Sequence, residues 1–159
     1  MKMTNLEALN LLQGLATVKD LPGVKFSYAV VKNSKKLESI RDSLQKAGGM
    51  SEDYRKFLKA KEDMFIKNSK KDKDDKPITT TNGQITEYDF VDKAKNEKEF
   101  KVLLKKHDAV IKAEQEKEKE LQELLKDKID VDLHKVKIEF VPEKITATQL
   151  NAIMPMIED

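Results

Sequence analysis

Phe26, Val30, Asn33, Leu37, Ile40, Leu44 and Ala47 follow one another at alternating four- and three-residue steps, and this seam constrains the fold more than any other feature of the chain. Such spacing returns to one side of an α-helix and supports coiled-coil-like packing. It predicts one long helix from about Val24 to Ala47 whose seam needs apolar cover. Asn33 is the polar member, and a lone Asn on such a seam sets register or oligomeric state at some cost in stability. Replacing it with Leu is then expected to raise the melting temperature and broaden the range of assembly states.

Asn33 lies within Lys32-Asn33-Ser34-Lys35-Lys36, and the same five letters return at Lys67-Asn68-Ser69-Lys70-Lys71. The first copy is read as a seam residue with solvated lysines beside it. The second lies past the end of another apolar stripe, Tyr54, Phe57, Leu58, Met64 and Phe65, on a helix capped by Ser51 after the Gly48-Gly49 break. It leads into the charged stretch Lys71–Pro77, read as a loop. The two copies are thus one sequence word in two settings, not a repeated module.

The remaining signals are local. Thr4 and Glu7 have capping-box spacing, and so do Thr146 and Gln149. Leu6, Leu9, Leu12 and Leu15 form the expected stripe of a first helix, which Asp20-Leu21-Pro22-Gly23 stops. Asn82-Gly83 predicts a tight hairpin turn, with Thr80 facing Ile85 and Thr79 facing Thr86. Asp89 is expected to cap a helix running to about Asp127 through Phe90, Ala94, Phe100, Leu104, His107, Ile111, Leu121 and Leu125. Val136, Ile138 and Phe140 alternate with charged residues as in a half-buried strand. Val131 and Leu133 alternate in the opposite phase, so a bulge or bend is expected near His134. Pro155 limits the last helix, with Leu150, Ile153 and Met154, to about two turns.

Composition excludes several chemistries. The 159 residues contain no Cys and no Trp, and 38% are charged. That rules out disulfides and thiolate metal cages, and it implies a thin core. A calcium loop counted from Asp72 would need Gly at position 77 and Glu at 83, where Pro77 and Gly83 stand. His107 and His134 are too few for zinc. No glycine-rich phosphate loop and no Gly-x-Ser-x-Gly elbow is present. The expectation is a non-enzymatic protein without cofactor or metal. No apolar run is long enough for a membrane span or a signal peptide, so the chain is expected to be soluble and cytoplasmic.

The order of these pieces resembles small uncharacterised proteins encoded by tailed bacteriophages. Ile145, Thr146, Gln149, Leu150, Pro155, Met156 and Ile157 look like the recurring ending of such chains. The resemblance implies a phage or prophage origin and expression in a bacterial cytoplasm, with the virion as a further location. It carries no catalytic residues.

Together these readings predict a mainly α protein with minor β, a single elongated domain over 1–159. Residues 24–68 and 90–127 would form an antiparallel helical hairpin tipped by a β-hairpin at 77–88, with a first helix in 1–20 and a strand and short helix in 131–159. Setting Asn68 beside Phe90 places Leu44 near Glu114, Ile40 near Glu118 and Leu37 near Leu121, which leaves apolar side chains against polar ones. Asn33, Leu37, Ile40 and Leu44 are therefore the candidate partner-binding residues, and a homo-oligomer or another protein the expected cover. The expected function is protein binding, in virion assembly, as a virion component, or on a host protein. The alternative is a nucleic-acid-binding accessory role through Lys32, Lys35, Lys36 and Arg41, aided by Lys25 and Tyr28. The net charge of +2 is low for that role, since each neutralised phosphate needs its own cation.

Overall fold

The computed structural model describes residues 1–82 and 85–158. The chain is mainly helical with small two-stranded sheets, and it divides into two compact units, one of residues 1–49 with 118–159 and one of residues 50–117.

In the first unit, strand β1 (Lys2–Thr4) leads directly into helix α1 (Asn5–Val18), and helix α2 (Val24–Gly48) follows the Pro22-Gly23 stop. The capping box is formed: Thr4 Oγ1 accepts from the Glu7 N–H, and Glu7 Oε2 accepts from the Thr4 N–H at 2.6 Å. The next amides of α1 reach the end of helix α5 (Asp108–Leu124), whose last turns belong to this unit. The Asn5 N–H donates to Asp127 O at 3.1 Å, the Leu6 N–H to Leu125 O at 2.9 Å, and Asn5 Nδ2 to Leu124 O at 2.8 Å. Unsatisfied donors at one helix start thus meet unsatisfied acceptors at another helix end. Beyond the junction β1 pairs antiparallel with β4 (Lys128–Asp130), Met3 opposite Ile129.

Which face of α1 is buried differs from the expected leucine stripe. Ala8, Leu11, Leu15 and Val18 point inward, whereas Leu6 is exposed and Leu9 and Leu12 are half-buried. The reason is close approach by helix α6 (Ala147–Ile153), for which small residues are needed. A Cβ built on Gly14 would lie 2.7 Å from Ala152 O. The seam of α2 follows the sequence reading more closely. Phe26, Val30, Asn33, Leu37 and Leu44 are buried, and Ala29 joins them. Ile40 is half-buried and Ala47 exposed.

Asn33 is fully buried, and its side chain makes a pairing that the seam spacing does not predict. Its Nδ2 donates to His134 O at 3.0 Å while its Oδ1 accepts from the His134 N–H at 2.7 Å. The side-chain amide pairs with a backbone amide as a neighbouring strand would. The phase change expected near His134 occurs there: Val131 and Leu133 are buried, then Val136. The strand that follows is shorter than alternation predicts. β5 is Val136–Lys137 alone, parallel to β6 (Ile157–Glu158), and Ile138–Phe140 turns into a 3-10 helix that leaves Ile138 exposed. At the other end of α6, Thr146 and Gln149 form their capping box. Pro155 sits in a 3-10 turn, Met154–Met156, which buries Met156 where Met154 was expected.

In the second unit helix α3 (Glu52–Asn68), capped by Ser51, packs against helix α4 (Lys93–Lys106). The helix expected from Asp89 to Asp127 is two helices. Asp92, not Asp89, caps α4 by accepting from the Lys95 N–H, and the chain leaves helical geometry at His107 before Asp108 opens α5. Phe90 lies outside the helix because it is bridged to Ser69 and its ring packs on Phe65 at 5.3 Å. The hairpin of β2 (Thr79–Asn82) and β3 (Ile85–Tyr88) sits in a register two steps from the expected one, with Thr80 opposite Glu87 and Asn82 opposite Ile85. Its base decides this. Lys70 N–H donates to Asp89 O, Ile78 N–H to Lys70 O and Asp89 N–H to Ile78 O, which locks 78 opposite 89. The expected Asn82-Gly83 turn falls partly outside the described residues.

Two stability measurements check these packings. Asn33→Leu removes the partners of both the N–H and the carbonyl of His134 and should destabilise by about 2–4 kcal/mol, read from the denaturant midpoint; a rise in stability would show instead that Asn33 acts as a costly polar member of an apolar seam. Gly14→Ala should also destabilise, by about 1–3 kcal/mol, because overpacking against the Ala152 backbone outweighs a helix-propensity gain of about 1 kcal/mol.

Candidate functional site

Helix α2 is apolar on its outer side as well as its inner one. Val24, Tyr28 and Val31 follow one another at i, i+4 and i+7, and their exposures are 89%, 57% and 54%. That spacing places them on one face, turned from the Phe26, Val30 and Asn33 side. Beside this face lies a groove of about 380 Å³ between α2 and β5, walled by Val24, Tyr28, Val136 and Phe140. The Tyr28 and His134 rings meet edge to face at 5.2 Å. Lys25 Nζ stands 3.7 Å above the Phe140 ring, and Lys32 Nζ lies 5.6 Å from the Tyr28 ring centre and 3.5 Å from His134 Nδ1. Ammonium groups held on aromatic faces in this way gain about 0.5–1 kcal/mol at exposed sites. Lys135 and Lys137 complete the cationic rim, with Glu158 opposite them.

A second groove, of about 520 Å³, follows the later half of α2. Ile40, Leu44, Leu124, Ile129 and Val131 form its floor. Two of the four residues expected to bind a partner, Ile40 and Leu44, line it. The other two, Asn33 and Leu37, are buried beneath α2. The expected facing of Leu44 with Glu114 is replaced by Leu44 and Leu124 on one groove, and a Cβ on Gly48 would come within 2.6 Å of Leu121 Cδ2. Leu37 and Leu44 thus have cover within the chain, while Ile40 stays half-buried at the groove. The groove's polar edge is a salt bridge, Lys36 Nζ to Asp132 Oδ2 at 2.8 Å, and Lys36 also donates to Asp132 O. The hydrogen bond from Lys36, then its charge, holds the Asp132 carboxyl below its ordinary 3.8. Ser39 and Ser43 donate their hydroxyls to helix carbonyls, Lys36 O and Ser39 O.

The four candidate phosphate contacts do not form one cationic cluster. Lys36 is paired with Asp132, Arg41 with Asp42 at 2.9 Å, and Lys32 is placed against Tyr28 and His134. Lys32 and Lys35 are in no salt bridge among the described residues. In the second Lys-Asn-Ser-Lys-Lys copy, Asn68 Nδ2 donates to Asn96 Oδ1 and Glu99 Oε2, and Lys70 pairs with Asp89 at 2.9 Å. Each copy therefore holds a structural Asn, in unrelated surroundings. Asp72, the first residue of the rejected calcium loop, accepts the N–H groups of Asp74 and Lys76 and closes a turn. Among the described residues no group of three or more His, Asp or Glu gathers as a metal would need. His107 packs its ring on Phe57 at 5.3 Å.

The outer stripe of Val24, Tyr28 and Val31 was missed as a unit, although its i, i+4, i+7 spacing is legible in the sequence; Tyr28 was noticed only as an aid to nucleic-acid contact. No family model, curated protein or solved structure matches the chain. No helix among the described residues is long and apolar enough to cross a membrane.

The Asp132 pairing has a pH signature. Because its folded-state value lies below the ordinary one, its contribution to stability is complete above about pH 3.8 and is lost as pH falls through the folded value. Asp132→Asn should lower stability slightly at neutral pH, as an exposed pair contributes little, and the two proteins should converge at acid pH. Stability measured down the acid limb should then fall less steeply in the variant; an equal slope in both proteins would show that the pair does not form in solution.

Proposed function

We propose that this chain is a non-enzymatic protein-binding protein of a tailed phage, acting in the host cytoplasm as a virion-assembly factor, a virion component or a binder of a host protein. The observation that supports it most is the exposed stripe of Val24, Tyr28 and Val31 on a helix whose other face already fills a core. Leaving a Val or Leu-sized side chain wet forgoes about 1.5–3 kcal/mol. A contiguous apolar face beside a groove is where such a loss is recovered by a partner. The resemblance to small phage proteins supplies the biological setting. The alternative of nucleic-acid binding is weakened because Lys36 and Arg41 are engaged by carboxylates.

Photo-crosslinking tests the proposal. Benzoylphenylalanine placed at Val31 in infected cells should yield a discrete adduct with one protein, and the same probe at Lys95 in the second unit should not. An adduct at Val31 that disappears on nuclease treatment would favour the nucleic-acid reading, and equal, diffuse labelling at both positions would remove the proposed surface.

A further inference from the structure

We infer that the groove between α2 and β5 takes an acidic segment of a protein partner, one that sets an aliphatic or aromatic side chain between carboxylates. This rests on the reading of the outer face of α2 as a protein-docking surface and adds the chemistry of what docks there. The walls are apolar and open: Val24 and Tyr28 stand well out into solvent, and Phe140 is half-buried across from them. The rim is cationic. Lys25, Lys135 and Lys137 line the groove, Lys32 stands over Tyr28, and Lys35 follows one turn of helix after Val31. Among the described residues, none of these five ammonium groups is in a salt bridge, and Glu158 is the one acid of the lining.

How the ammonium groups are held points the same way. Lys25 is drawn onto the Phe140 ring, Lys32 onto Tyr28 and toward His134, and Lys135 donates to the Pro155 carbonyl. Rings and a neutral carbonyl position these charges, and none of the three is in a salt bridge, although Lys32 lies near enough to Asp132 to act on its carboxyl. An incoming carboxylate therefore meets cations already fixed at the edge of an apolar wall, which lowers the ordering cost of each new ion pair. The same arrangement suits phosphates less well. Neither of the chain's arginines, Arg41 and Arg55, lines this groove, so the bidentate fork that favours phosphate is missing there. Val24 and Val31 offer a backbone of phosphates nothing to dehydrate against.

The test is selection from a displayed library of random peptides on the wild-type protein, counter-selected on Val24→Glu with Tyr28→Glu. Both residues are exposed, so the double variant should keep the far-UV circular dichroism of the wild type. Enriched peptides should carry an apolar anchor flanked by Asp or Glu. Their affinity, read by fluorescence anisotropy, should drop about tenfold or more with Lys25→Glu plus Lys137→Glu, and should weaken as salt screens the rim. Peptides that depend on Val24 and Tyr28 but are neutral or basic would overturn the acidic chemistry and leave protein docking standing. A library yielding no peptide that depends on those two residues would overturn both. A single-stranded oligonucleotide that displaces the peptides, and is lost with the same lysine changes, would overturn the inference in favour of nucleic acid.

Discussion

The first unit turns on the two hydrogen bonds between the Asn33 side chain and the backbone N–H and carbonyl of His134. A strand that changes phase must present one backbone group where no neighbouring strand can reach it, and a buried unpaired amide is costly. Asn33 supplies the missing pair from a helix. It fastens the segment from Val131 to Val136 against α2, which lets Val131, Leu133 and Val136 all reach the core despite their mismatched alternation. It also sets the outer face, because the same residue whose backbone is held, His134, carries the ring that meets Tyr28 and Lys32. A core contact and a candidate docking groove are therefore two sides of one anchor.

A second constraint closes the unit at the far end of the chain's path. The start of α1 and the end of α5 satisfy one another's free amides and carbonyls, and the β1–β4 ladder continues the same register outward. A thin core is affordable in such an arrangement because few polar backbone groups at helix ends are left to water or to strain. In the second unit Asn68 does comparable work, bridging from the last residue of α3 to Asn96 and Glu99 on α4.

What was legible in the sequence was what local chemistry decides. Both capping boxes, the α2 seam, the break after Gly48 and the phase change near His134 need only neighbours within a few residues to be read. What failed was decided at a distance. The buried face of α1 follows Gly14 because α6 presses there, and a leucine count cannot see that approach. The hairpin register follows the pairing of Lys70, Ile78 and Asp89 at its base, which outweighs the local preference of Asn-Gly. Phe90 is taken from the helix by Ser69 and Phe65, so the cap moves on to Asp92. Of the four residues expected to bind a partner, Ile40 and Leu44 line a groove, whereas Asn33 and Leu37 are buried, Asn33 against a segment that arrives a hundred residues later.

The two sides of α2 also explain why periodicity picks out the inner one. A moment calculated for the whole helix rewards the stripe that is longest and most regular, and that stripe is the one the protein uses to fold. The shorter run of Val24, Tyr28 and Val31 is confined to the first half of the helix, where lysines at 25, 32 and 35 dilute it. Those lysines are read at first as the solvated side of an amphipathic helix. With the inner seam filled, the same residues form a mixed apolar and cationic outer face, packed in part on His134 and Phe140. Charge interleaved on the outer side of such a helix lets its apolar side chains sit beside well-hydrated lysine heads, so the second face costs less exposed apolar surface than an unbroken stripe would.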